Sequence, residues 1–64
     1  MTQLTIFDSI NESCHAWGKA AHQIDFIVER SEFETTLRKQ YGEIFNSENI
    51  DQLYTTYLDA AYHG

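Results

Sequence analysis

The sequence predicts an all-α fold made of one long helix and two shorter helices. The chain has 64 residues with no proline and three glycines, a composition that favours helices over a β structure with many turns. Between residues 7 and 28 the apolar residues are spaced alternately by three and four positions, as in a helix with one buried stripe. Two Ser-x-x-Glu sequences, at 9–12 and 31–34, have the form of capping boxes, which begin helices.

The first helix is predicted over about residues 9–29 and follows a heptad pattern. Its apolar stripe consists of Phe7, Ile10, Cys14, Trp17, Ala21, Ile24 and Val28. Gly18 lies inside this helix, where a glycine costs about 1 kcal/mol relative to alanine. Either it allows another helix to approach closely, or it is a defect that the helix tolerates.

The second helix is predicted over about residues 32–45. Its apolar face consists of Phe33, Leu37, Tyr41, Ile44 and Phe45. Glu34 and Arg38 stand four residues apart in the order that favours an ion pair along a helix. The second helix is predicted to pack antiparallel to the first, and the third is predicted to run back in the direction of the first.

The third helix is predicted over about residues 48–62. A polar sequence precedes it, and a continuous helix would rotate the apolar face by about 140° between Phe45 and Ile50. Its apolar face consists of Ile50, Leu53, Tyr54, Tyr57, Leu58 and Ala61. The alternative is a nearly continuous helix over 32–62, forming a hairpin that dimerises into a four-helix bundle.

The chain is short for a self-sufficient core. Apolar burial and conformational entropy nearly cancel at this length, and a single cysteine excludes an internal disulfide. We therefore expect one domain over 1–64, completed by homodimerisation, with residues 1–7 as a candidate flexible arm. The dimer would form through the stripe of the first helix or through exposed aromatic residues near Phe26.

The charge points to a protein partner. Ten acidic residues against four basic ones give a net charge of −6, which repels nucleic-acid phosphate and anionic lipid, so we expect neither as a partner. No stretch approaches the ~20 apolar residues of a transmembrane helix. The first residues lack the basic and apolar regions of a signal peptide, and the lone thiol fits a reducing compartment, so we expect a cytoplasmic protein.

The residues that carry chemistry do not form a catalytic or metal-binding pattern. The sequence has no glycine-rich phosphate loop, no nucleophile elbow and no carboxylate cluster beside a base, so we expect no catalysis and no cofactor. His15 and His22 would lie ~10 Å apart along one helix, too far to share a metal ion. Cys14 falls on the apolar stripe, where we expect a small buried side chain.

Two aromatic residues are candidates for partner binding. Phe26 would lie opposite the stripe of the first helix, so either the shorter helices cover it or it is exposed and marks a contact surface. Tyr62 stands near the end of the third helix among acidic residues, and tyrosine contributes strongly to protein interfaces.

The pentapeptide Gln3-Leu4-Thr5-Ile6-Phe7 resembles the bacterial sliding-clamp-binding motif. The resemblance implies a polar anchoring role for Gln3 and makes Leu4, Ile6 and Phe7 hydrophobic plugs in a cleft of the clamp. Thr5 departs from the commoner serine or aspartate, and Ile6 from the commoner leucine. Docking of Phe7 on the protein's own core is the alternative interpretation.

In size, composition and acidity, the whole chain resembles the small early-region accessory proteins of temperate lambda-like bacteriophages. That resemblance implies a non-catalytic interaction or regulatory protein that acts on a host protein in replication, transcription or cell-cycle control. It assigns no functional residues. The acidic charge leaves a DNA-mimic inhibitor as a further alternative.

Overall fold

The chain folds into three packed helices. The computed structural model describes residues 6–63, with α1 over Ile6–Ile24, α2 over Arg30–Tyr41 and α3 over Ser47–His63. The predicted all-α fold with three helices is confirmed. Within the described residues, none of the three helices is both long enough and apolar enough to cross a membrane.

Helices α1 and α3 run in the same direction and lie close together. The Thr56 hydroxyl, in the middle of α3, donates to the side chain of Asn11 in the first half of α1 at 2.9 Å. Near the ends of both helices, the His22 ring bonds to the Ala61 carbonyl at 2.9 Å. Gly18 lies where the two helices are closest. A Cβ atom at Gly18 would lie 2.6 Å from the Ala60 Cβ and would also overlap the Tyr57 carbonyl oxygen. The glycine therefore permits the close approach of α3.

Aromatic side chains join α2 to the other two helices. The Trp17 ring stacks on the Phe33 ring with centroids 5.0 Å apart, and Tyr57 lies 5.2 Å from Phe33. The buried apolar residues are Ile10, Cys14, Ala21, Phe33, Leu37, Phe45, Ile50, Leu53, Tyr57, Ala60 and Ala61. The stripe of α1 thus packs inside its own chain at Ile10, Cys14 and Ala21, which leaves these three side chains little surface for a contact between chains.

Helix α1 ends five residues before its predicted end. Asp25 adopts a left-handed conformation with φ of 56°, and its amide donates to the His22 carbonyl at 3.3 Å. The Phe26 amide donates to the Ala21 carbonyl at 3.1 Å, which completes a Schellman motif. The predicted span 9–29 is therefore wrong at both ends.

The early end of α1 changes the place of two predicted stripe residues. Ile24 is 70% exposed, so it does not belong to the core of the single chain, and only its predicted place in a dimer contact remains open. Val28 lies outside any helix but still packs against the core from the connection between α1 and α2.

Both predicted capping boxes lie inside helices instead of at their beginnings. Ser9 is in the first part of α1, and Ser31 is in α2, whose N-cap is Glu29 without a side-chain hydrogen bond. Glu34 instead pairs with Arg38 at 3.0 Å, as the spacing predicts, and with Arg30 at 3.3 Å.

The chain breaks between α2 and α3, so the continuous helix over 32–62 is wrong. Helix α2 ends at Tyr41, four residues before its predicted end, and Gly42 follows with φ of 91°. Asn46 and Asn49 cap the beginning of α3 with a reciprocal pair of hydrogen bonds. The backbone amide of each residue donates to the side-chain oxygen of the other, at 3.1 and 2.8 Å. Outside the helices, Phe45 is buried and Ile44 is exposed.

Candidate functional site

One end of the molecule carries three large exposed apolar side chains. Ile24 is 70% exposed, Phe26 is 58% exposed and Tyr62 is 67% exposed. They lie where α1 and α3 end, and we call these three residues the terminal patch. The described residues contain five exposed large apolar side chains, so the terminal patch holds three of the five.

A shallow depression of about 300 Å³ lies within this end of the molecule. It is lined by Ala21, His22, Asp25, Ile27, Ala61 and Tyr62. Tyr62 lines this depression, whereas Ile24 and Phe26 are the chain neighbours of Asp25, another of its lining residues.

The hydrogen bond between His22 and Ala61 holds the two helix ends together at the depression. The Ala61 carbonyl belongs to the last turn of α3, where carbonyl groups lack partners within the helix. A carbonyl oxygen only accepts, so the Nδ1 atom of His22 carries the proton in this contact. The patch is therefore built on a fixed junction between α1 and α3.

Two aspartates stand close to patch residues in the chain. Asp25 lies between two patch residues, and Asp59 lies in α3 one turn before Tyr62, with the His63 ring 3.8 Å from its carboxylate. Arg30 is turned elsewhere, because it binds Asp51 at 2.6 Å near the beginning of α3.

Phe7 lies at the opposite end of the molecule. It is in the first turn of α1, 38% exposed, and its ring is 6.0 Å from that of Phe45 in an edge contact. The Phe7 ring therefore contacts a buried aromatic residue of its own chain while remaining partly exposed. Gln3 and Leu4, together with the side chain of Ile6, lie outside the described residues. Insertion of Phe7 into a clamp cleft would require release of its contact with Phe45.

Metal binding and nucleophilic attack would both depend on particular side chains in the described part of the chain. Between residues 6 and 63, no group of three or more histidine, cysteine, aspartate or glutamate side chains could hold a metal ion. Cys14 is buried, as the stripe predicts, and burial raises the pKa of its thiol to about 11. The Cys14 side chain is therefore a protonated thiol near neutral pH, which is a poor nucleophile.

The sequence predicted two of the three patch residues but not their setting. Phe26 and Tyr62 lie at the same end, which sequence spacing did not indicate. Phe26 is exposed because it follows the end of α1, and its predicted position opposite the stripe of a continuing helix was wrong. Ile24 was missed because its spacing fits the stripe. The one local signal was Asp25, since aspartate tolerates the left-handed conformation that ends a helix.

Comparisons of this chain with protein-family models, with curated proteins and with solved structures give no match.

Proposed function

We propose that this chain is a non-catalytic interaction protein that binds another protein through the terminal patch. The observation that carries the proposal is the concentration of Ile24, Phe26 and Tyr62 at one end of the molecule, all of them more than half exposed. Several large apolar side chains exposed at one end of a small protein are costly to leave in water and are typical of interaction sites.

The composition of the terminal patch supports a protein as the partner. Phenylalanine and tyrosine are enriched at protein interfaces and supply much of their binding energy. The depression beside Tyr62 is shallow and stands at the lower limit of the ~300–1,000 Å³ typical of small-molecule sites. An enclosed catalytic pocket would also need converging polar groups, and no polar or charged residue is buried in the part of the chain described.

The biological setting that we propose is a bacteriophage protein acting on a protein of its bacterial host, as the resemblance in size and acidity suggests. Regulation of replication, transcription or the cell cycle by occupying a host surface requires no catalytic group. A small acidic helical chain with most of its exposed large apolar side chains at one end suits that role.

Affinity capture with matched variants tests the proposal. The tagged chain, the double variant Ile24→Ser/Phe26→Ser and the control variant Ile44→Ser are incubated with lysate of the bacterial host. Ile44 is 43% exposed and follows α2, away from the terminal patch, so its replacement removes a similar apolar side chain elsewhere. We expect the same host protein to be recovered with the original chain and with Ile44→Ser, and to be lost with the double variant.

Recovery of that protein with all three forms would contradict the proposal, as would loss with Ile44→Ser. Circular dichroism of each variant verifies that the helices are retained. Sedimentation of the purified chain tests the homodimer in parallel. If a homodimer forms through the exposed aromatic residues near Phe26, the double variant should be monomeric where the original chain is dimeric.

A further inference from the structure

The apolar residues of the terminal patch alternate with carboxylates. Asp25 lies directly between Ile24 and Phe26, and Asp59 lies one turn before Tyr62 on α3. Both aspartates are exposed. A partner that covers the apolar side chains therefore brings its own rim against these two negative charges.

The ion pairs of the two arginines involve carboxylates other than Asp25 and Asp59. Lys19, the basic residue before Asp25 in α1, lies six residues away, about 9 Å along the helix axis. Arg30 binds Asp51 and Glu34, and Arg38 binds Glu34 and Glu43. Among the described residues, His22 lines the depression, and the His63 ring lies 3.8 Å from the Asp59 carboxylate.

The exposed area of the patch is small compared with a stable dimer interface. Three side chains of this size, each somewhat more than half exposed, present on the order of 300–400 Å². A standard interface buries about 800 Å² from each partner. Two copies would also bring the four aspartates of two patches together on chains that each carry a charge of −6. Area and charge both favour a smaller, oppositely charged occupant over a second copy.

We propose that the terminal patch binds a cationic amphipathic helical segment of its protein partner. The apolar face of that segment covers Ile24, Phe26 and Tyr62, with one side chain entering the depression beside Tyr62. Lysine or arginine residues next to that face lie against Asp25 and Asp59. This inference rests on the proposed function and adds the chemical class of the partner.

A helical partner segment can place apolar side chains on the patch and basic side chains against the two aspartates at the same time. Side chains at positions i, i+3, i+4 and i+7 of a helix form one apolar face, and basic residues on either side of that face reach beyond its edges. An anionic membrane or a nucleic acid would meet the same two aspartates unfavourably, because like charges repel.

Selection from a peptide library tests the partner class directly. Displayed peptides of about 15 residues are selected on the immobilised chain, with removal of those that also bind Ile24→Ser/Phe26→Ser. We expect the remaining peptides to be enriched in lysine and arginine and to carry aliphatic residues at helical spacing. Absence of patch-dependent peptides, or enrichment of neutral or acidic ones, would overturn the proposal.

Charge variants then test the role of the two aspartates with a selected peptide. Asp25→Asn/Asp59→Asn removes two charges and keeps residue 25 tolerant of a positive φ, while Glu12→Gln/Glu32→Gln removes two charges elsewhere on the surface. We expect the aspartate variant to weaken binding by about tenfold at low salt and the glutamate variant by much less. The advantage of the original chain should shrink as salt is raised from ~0.05 to ~0.5 M. Equal losses in both variants would contradict local pairing.

The two proposals fail differently. If host capture depends on Ile24 and Phe26 but the selected peptides are not cationic, the interaction role stands and the partner class is wrong. If neither host capture nor peptide binding depends on these residues, the interaction role of the patch fails as well.

Discussion

The Tyr57 hydroxyl accepts a hydrogen bond from the Val28 amide at 3.0 Å and so ties the connection between α1 and α2 to α3. About one turn earlier in α3, the Tyr54 hydroxyl donates to the Val28 carbonyl at 2.9 Å. Both backbone groups of Val28, which lie outside any helix, are thus satisfied by side chains. The Tyr57 ring also packs against Trp17 and Phe33, with centroids 5.0 and 5.2 Å away. This contact fixes the course of the chain immediately after the terminal patch.

Replacement of Tyr57 by phenylalanine tests this contact. Tyr57→Phe keeps the ring but leaves the Val28 amide without its partner, and an unsatisfied buried donor costs about 1–3 kcal/mol. Tyr54→Phe is the matched control, because it removes the hydroxyl that donates to the Val28 carbonyl. The Tyr54 side chain is less buried than that of Tyr57, so we expect a loss of about 1 kcal/mol or less. Urea unfolding measures both losses, and hydrogen exchange at the Val28 amide should accelerate in Tyr57→Phe. Equal losses with unchanged exchange would show that the hydroxyl contact contributes little.

Gly18→Ala should destabilise the protein although alanine is the better helix former. Helix propensity alone predicts a gain of about 1 kcal/mol. The added Cβ would instead overlap the backbone of α3, and such overpacking typically costs about 1–3 kcal/mol. The free energy of unfolding decides the sign. As a control, Ala20→Gly on the exposed side of α1 should lose about 1 kcal/mol from propensity alone. A more stable Gly18→Ala would mean that α3 does not approach as closely as described.

Local sequence patterns predicted the helices better than they predicted the helix ends. The alternating three-and-four spacing of the first helix and the shared apolar faces of the other two predicted three helices, and the structure has three. The polar sequence before Ile50 marked a real break, although its role as reciprocal asparagine caps was not foreseen. The predicted serine caps failed because the chain already turns helical before Ser9 and Ser31.

The terminal patch shows why the end of α1 could not be predicted from the spacing of apolar residues. Periodicity continues through Ile24 to Val28, so nothing in the spacing indicates that α1 stops at Ile24. The stop depends on the backbone of Asp25 and on hydrogen bonds that Tyr54 and Tyr57 make with Val28 from α3. Those contacts connect residues more than twenty positions apart, and local patterns carry no information about them. Tertiary contacts therefore expose Ile24 and Phe26.

Substitutions at Asp25 test the end of α1. Its φ of 56° is unfavourable for residues with a Cβ atom and favourable for glycine. We expect Asp25→Gly to stabilise the protein by up to about 1 kcal/mol and Asp25→Ala to destabilise it by a similar amount, since alanine lacks the local hydrogen bonding that helps aspartate tolerate this conformation. Thermal unfolding ranks the stabilities of the original chain, Asp25→Gly and Asp25→Ala. If alanine were at least as stable as glycine, α1 would continue beyond Ile24 in solution.

Burial of the Cys14 thiol predicts a loss of stability at alkaline pH. Its pKa is raised from 9.0 to about 11 by desolvation, so the unfolded chain loses the thiol proton first as the pH rises. The free energy of unfolding contains the full contribution of the protonated Cys14 thiol below pH 9. That contribution declines between pH 9 and pH 11, by up to about 3 kcal/mol. Tyrosines titrate in the same range, so Cys14→Ala is the reference. We expect the difference in unfolding free energy between the original chain and Cys14→Ala to shift against the original chain by this amount as pH rises from 8 to 11 (about three decades of proton concentration). A difference that stays constant would place the thiol in contact with water.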